Sequence, residues 1–164
     1  MTILEICEWL EATSVAVFAR ESLYGFQVLV AFHLLGLMLS VGILLWVDLR
    51  LIGVTMQRSR VSDVYRSLAP WFLSGFGVML VSGAILFAGF ATSAYGNLYF
   101  RIKVVALVLA GSNAIIYHLA TQRGSAKWDE ARNPPVSVRI AGLTSIVLWA
   151  AVILAGRMIS YTMF

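Results

Sequence analysis

Charge is what this chain has least of. Only 12% of its 164 residues are Asp, Glu, Lys or Arg, and 60% are hydrophobic. An ordinary soluble domain carries about a quarter charged residues, so a water-soluble globule is excluded at this length. Cysteine is as scarce: the single Cys7 excludes an internal disulfide and any site built from several thiolates. Histidine occurs twice and proline three times. Acidic residues number 8 against 12 basic ones, giving a formal net charge of +4. In a soluble protein that excess would suggest nucleic acid; here the placement of the charges explains it without nucleic acid.

No charged residue falls between Glu21 and Asp48, between Arg66 and Arg101, between Lys103 and Arg123, or between Arg139 and Arg157. A bilayer core about 30 Å thick needs roughly 20 apolar residues at 1.5 Å each, and each gap supplies a stretch of about that length. The pattern predicts four transmembrane helices, at about 24–49, 69–93, 99–122 and 139–161. A transmembrane barrel would show short segments of alternating polarity, which these runs lack. The first run starts beyond residue 20, has no basic leader and is too long for a cleaved signal peptide. The expected fold is an all-α antiparallel bundle of four spans, with residues 1–22 as a separate interfacial helix and 23–164 as the transmembrane domain.

Arg50, Arg58, Arg60 and Arg66 cluster at the first connection and Arg123, Lys127, Arg132 and Arg139 at the third. Arg20, Arg101, Lys103 and Arg157 occupy the other side. The positive-inside rule makes the richer side cytoplasmic and places both termini outside. That orientation predicts a multi-pass protein of a bacterial inner membrane with periplasmic termini. In the first 21 residues Ile3, Ile6, Cys7, Leu10, Val17 and Phe18 recur at helical spacing, with Glu5, Glu8 and Glu11 opposite. Such a helix is amphipathic enough to lie in the interface, with Trp9 at headgroup level, while its acidic face, unusual against anionic lipid, favours docking on the bundle or on a partner. Pro134 and Pro135 are expected to open the fourth span, and Pro70 the second.

Both histidines fall inside spans. His33 heads a face continued by Gly36, Ser40 and Leu44, and His118 closes a stripe of Ala106, Ala110 and Ala114. Small-residue faces are where membrane helices approach closely, and an ionisable group inside a bilayer is a functional candidate by default. For each the alternative is a histidine that hydrogen bonds between helices; that reading is the simpler one for His118. A single haem bridging both is excluded by depth, since His33 lies about 9 residues and His118 about 19 residues below the outer surface, roughly 15 Å apart along the normal. A haem would therefore take His33 as its ligand, with His118 the weaker metal candidate.

At the outer end Arg101, Lys103 and Arg157 have no acidic neighbour on their own helices. Cations at or above the depth of His33 suit haem propionates, a quinone oxygen or lipid phosphates; interfacial snorkelling is the plainer alternative. At the other end Asp48 must be paired or wet, with Arg50, Arg66 or His118 as available partners, and a structural ion pair is expected. Gly75, Gly77, Gly83 and Gly89 with Ser74 and Ser82 mark the second span as a close-packing helix, which is also room for a flat macrocycle. Met79 and Met158 are core filler or thioether ligands.

The stretch WLEATSVAVFARESLYGFQVLVAFHLLGLMLSVGILLWVDLRLIG resembles the opening of a bacterial four-helix membrane family known only as a domain of unknown function. More distantly, a first-span histidine, the lysine of FRIKVVALVL opening the third span and the histidine of IIYH closing it resemble the small haem-binding protoporphyrinogen oxidases of bacteria. The copper-resistance D membrane proteins share a similar histidine and glycine arrangement in the first span. This resemblance implies haem b, His33 as its ligand, Lys103 as a functional cation and Arg66 as a weaker match.

Two functions are expected from these residues. The first is a haem b protein exchanging electrons with a quinone or a periplasmic partner. The second is a non-enzymatic accessory or assembly subunit, whose close-packing faces engage another membrane protein or a second copy of the chain. Copper handling finds no cluster of soft ligands, and a transporter would show a broken span or an inverted repeat.

Overall fold

The computed structural model describes residues 2–55, 60–122 and 134–163, apart from the side chains at 61, 118 and 120–122. The described residues form α1 (Ile3–Glu11), α2 (Ser14–Glu21), α3 (Gly25–Ile52), α4 (Val61–Gly89), α5 (Ala91–Gly96), α6 (Leu98–Gln122) and α7 (Val136–Met163), with no strand among them. Four of these, α3, α4, α6 and α7, are long and apolar enough to cross a membrane. Their outward surfaces carry Phe32, Met38, Leu80, Val108, Ile116 and Leu154, each more than half exposed. So continuous an apolar surface is tolerable only against lipid. The chain is a multi-pass membrane protein in contact with the bilayer.

Local chemistry sets the helix ends. Thr2 and Glu5 form a reciprocal capping box on α1. The Thr13 hydroxyl turns back to the Leu10 carbonyl at 2.7 Å, and Thr13 itself is extended, so the N-terminal segment is two helices rather than one. Gly53, at φ 87°, ends α3 in a left-handed conformation that disfavours any side chain. Asn97 caps α6 by accepting from the backbone amides of Tyr99 and Phe100. Pro135 opens α7 as expected, its carbonyl accepting from Val138 and Arg139.

Pro70 does not open the second span. It sits inside α4, which begins at Val61 and runs unbroken to Gly89. A proline there removes one backbone bond, but Val64 is buried with Val47, Leu51 and Val138, and Leu68 packs on the same cluster. This packing on the N-terminal side of the proline holds the first turns of α4 in register with the rest of the helix.

The close helix pairs are α3 with α4, α3 with α7, and α6 with α7. A second core of Met79, Ala106, Ala110, Trp149 and Val152 fills the centre of the bundle. Between α4 and α6 the link is through side chains, with the rings of Phe87 and Phe100 stacked at 5.1 Å. One end of the bundle, here the cap end, carries α1, α2 and α5. The Glu11 carboxylate accepts from both the amide and the hydroxyl of Thr92 at 2.8 and 2.6 Å. Glu11, expected on the polar face opposite the apolar residues, instead fastens α1 to the start of α5.

Candidate functional site

The site is built on the tightest seam of the molecule. A Cβ at Gly36 would lie 2.7 Å from both the Gly75 carbonyl oxygen and the Met79 nitrogen, and one at Gly75 would lie 3.0 Å from Leu39. Only glycines at these two places let α3 and α4 meet backbone to backbone. Ser40, fully buried one turn on, donates to the Gly36 carbonyl of its own helix at 2.7 Å and leaves no polar group unmade in the seam.

One turn toward the cap end the same seam holds His33. Its Nδ1 is 2.9 Å from the Met79 carbonyl oxygen and 3.2 Å from the Ser82 hydroxyl. A carbonyl can only accept, so Nδ1 carries the hydrogen and donates it. In the neutral ring the lone pair is then on Nε2, for which no hydrogen-bond partner appears among the described residues. Ser82 donates its own hydrogen to the Val78 carbonyl at 2.6 Å and is free to receive the ring N–H. Gly83 makes room for the imidazole: a Cβ there would sit 2.9 Å from Cε1 of His33. The ring is half-buried, its plane fixed by one backbone acceptor and one glycine.

Of the three cations expected near His33, one is within its electrostatic reach. Lys103 lies half-buried along α7, with Nζ 3.6 Å from the position a Cβ of Gly156 would take, and within electrostatic reach of His33. No ion pair of Lys103 is present among the described residues. Arg101 is exposed, bonded to the Tyr95 carbonyl at 3.2 Å and stacked on the Tyr95 ring. Arg157, also exposed, is bonded to the Tyr161 hydroxyl at 3.0 Å with its guanidinium 4.8 Å from that ring's centre. Arg66 is exposed on the opening turns of α4, thirteen residues or about 20 Å from Met79 along the helix. His118 falls fifteen residues after Lys103 on α6, about 22 Å further along it; its side chain lies outside the described residues, as do Arg58, Arg123, Lys127 and Arg132.

Asp48, at the other end of α3, is buried and hydrogen-bonded with the Ser145 hydroxyl of α7. Its backbone carbonyl lies 3.1 Å from where a Gly142 Cβ would be, so the contact depends on that glycine. No ion pair of Asp48 with Arg50 or Arg66 appears among the described residues, and the third expected partner, His118, has its side chain outside them. Burial between two close helices admits a hydroxyl beside the carboxyl and leaves Arg50 on another side of α3. Met79 is a core residue and Met158 is more than one-third exposed.

Which residues serve His33 was only partly visible in the sequence. Ser82 and Gly83 stand out as small residues but not as partners of a particular histidine, because pairing across helices depends on register. No group of three or more His, Cys, Asp or Glu side chains that could hold a metal ion occurs among the described residues. A hollow of about 390 Å³ between α3 and α4 is lined by Leu29, Phe32, Gly77, Val81 and Ile85 together with Ser82, the hydroxyl that touches His33. A second, of about 660 Å³, lies on α3 against Ile153 of α7. At His33 the arrangement offers one imidazole lone pair oriented by a backbone acceptor, with one cation in electrostatic reach.

The chain belongs to a family of unknown function (DUF6644), whose model matches residues 6–162. No curated protein and no solved structure matches it.

Proposed function

We propose that this family member is a haem b-binding protein of a bacterial inner membrane, with both termini on the periplasmic side, that exchanges electrons with a quinone or a periplasmic partner. The observation that carries the reading is the orientation of His33. A metal-bound histidine characteristically donates its other ring N–H to a carbonyl or carboxylate, which fixes the tautomer and aims the remaining nitrogen. His33 has this arrangement, with Met79 as the acceptor, and Nε2 is the nitrogen that would hold a haem iron. Lys103 supplies a cation for a propionate, and Arg101 and Arg157 stand nearer the membrane surface as secondary cations. Bound haem supplies one-electron chemistry; the chain holds the imidazole, excludes water through the glycine seam and sets the local charge.

A second reading follows from the same seam. The His33 bonds to Met79 and Ser82 are also a clamp between α3 and α4, and neither hollow counts His33 itself in its lining. In a non-enzymatic accessory or assembly subunit, that clamp would be the whole role of the residue.

The variants His33→Ala and His118→Ala separate the two. Under the haem reading, His33→Ala removes the haem absorption of the purified protein while His118→Ala retains it in whole or part. Equal retention of the absorption in both variants overturns His33 as the ligand. A colourless wild-type protein that co-purifies with another membrane protein supports the accessory reading.

A further inference from the structure

The two short helices at the cap end each present three distinct sides. Rotation by 100° per residue places Cys7, Leu10 and Glu11 of α1 together, and these face the bundle: Cys7 is buried and Glu11 is bonded to Thr92. Glu5 and Glu8 lie on the far side and are exposed. Between them, on one flank, stand Ile6 and Trp9, 42% and 63% exposed. Helix α2 repeats the pattern. Ala16 and Ala19 are buried against the bundle, Ser14 and Glu21 face away, and Val15 and Phe18 form an exposed apolar flank.

An apolar flank between a docked side and a charged side has three candidate occupants: water, another protein or the bilayer edge. Position decides among them. Along the chain the exposed apolar residues of α2 are followed directly by Leu23 and Tyr24, 76% and 71% exposed, and then by Val28 and Phe32 on the outward surface of α3. Both helices sit where α3 begins and α4 ends, the level at which the spans leave the hydrocarbon. Tryptophan and phenylalanine at that depth are suited to the headgroup and acyl-chain boundary.

We propose that α1 and α2 lie in the membrane interface, fastened to the bundle by Glu11 and Thr92, with Ile6, Trp9, Val15 and Phe18 inserted in lipid and Glu5 and Glu8 in water. The acidic edge favours a zwitterionic lipid surface over an anionic one. This surface is independent of any cofactor at His33.

The test uses the full chain in phosphatidylcholine vesicles, with Cys7→Ala as background and an environment-sensitive fluorophore attached in turn through Trp9→Cys, Phe18→Cys, Glu5→Cys, Glu8→Cys and, as the lipid-facing reference, Phe32→Cys. Labels at 9 and 18 are expected to lose fluorescence to a nitroxide placed near the glycerol end of the acyl chain and to resist aqueous iodide. Labels at 5 and 8 should behave in the opposite way. Quenching of 9 and 18 by iodide alone overturns the proposal. So does protection of 9 and 18 from both quenchers, which would mean that a protein covers the flank. The label at 32 must report lipid in every preparation, so a variant that fails to fold is recognised and discarded.

Discussion

Two of the polar groups that helix α3 carries into the bilayer, His33 and Asp48, are treated differently. His33 and Asp48 are fifteen residues, or about 22 Å, apart on one helix. Each reaches across to a neighbour, His33 to α4 and Asp48 to α7, and each sits where a glycine of that neighbour leaves room. Asp48 is 4% exposed and enclosed. His33 is half-buried, has spent one ring nitrogen on a backbone carbonyl, keeps the other, and has a cation in electrostatic reach. A polar group enclosed with its partner holds helices together; one with an unspent donor atom and an uncompensated charge nearby is equipped to bind something. The contrast is what makes His33 the functional candidate.

Substitutions can sharpen or break this contrast. The largest effect is expected from Gly36→Val in the seam beside His33, because even the first carbon of a side chain would overlap the α4 backbone. Overpacking of this kind typically costs about 1–3 kcal/mol, and with backbone on both sides the variant should fall at or beyond the upper end in unfolding from mixed micelles. Asp48→Ala comes next. It strips Ser145 of its partner in a buried contact and is expected to cost about 1–3 kcal/mol, whereas Asp48→Asn keeps a partner and should cost distinctly less. If Asn and Ala behave alike, the Ser145 bond is not what holds that end.

Ser82→Ala removes the weaker of the two His33 contacts and leaves the Met79 carbonyl in place. Interhelical hydrogen bonds in membranes average about 0.6 kcal/mol, so a loss of that order is expected, and under the haem reading the absorption should shift rather than disappear. Smallest of all should be Arg101→Gln and Arg157→Gln. Each exposed guanidinium is held by a nearby tyrosine, and a cation–π contact at an exposed site contributes about 0.5–1 kcal/mol. A large loss of stability in either would show that these cations do more than stack on their tyrosines, and a loss of haem absorption would place them beside Lys103 in the proposed site.

The bundle was legible from charge alone, since the absence of Asp, Glu, Lys and Arg over four stretches is a direct consequence of lipid as the surroundings. Its details were not. Pro70 reads as a helix start because local backbone chemistry says so, and only the packing of Val64 and Leu68 keeps the helix going past it. Glu11 reads as polar surface because helical periodicity cannot reveal a threonine more than eighty residues away. At the candidate site, His33 and Lys103 were readable one by one as ionisable groups inside spans. The electrostatic reach of one to the other, and the roles of Ser82, Gly83 and Gly156, depend on how α3, α4, α6 and α7 are set against one another. Small residues mark such contacts without naming the partner, and Ser145 beside Asp48 escaped notice for the same reason.

The most direct test of the central claim is the absorption spectrum of the detergent-purified wild-type protein from haem-replete cells, oxidised and then reduced with dithionite, with pyridine added to identify the macrocycle. The expected result is a Soret band with reduced b-type peaks. A featureless spectrum from such cells would contradict haem binding at His33 and leave the interhelical clamp as that residue's role.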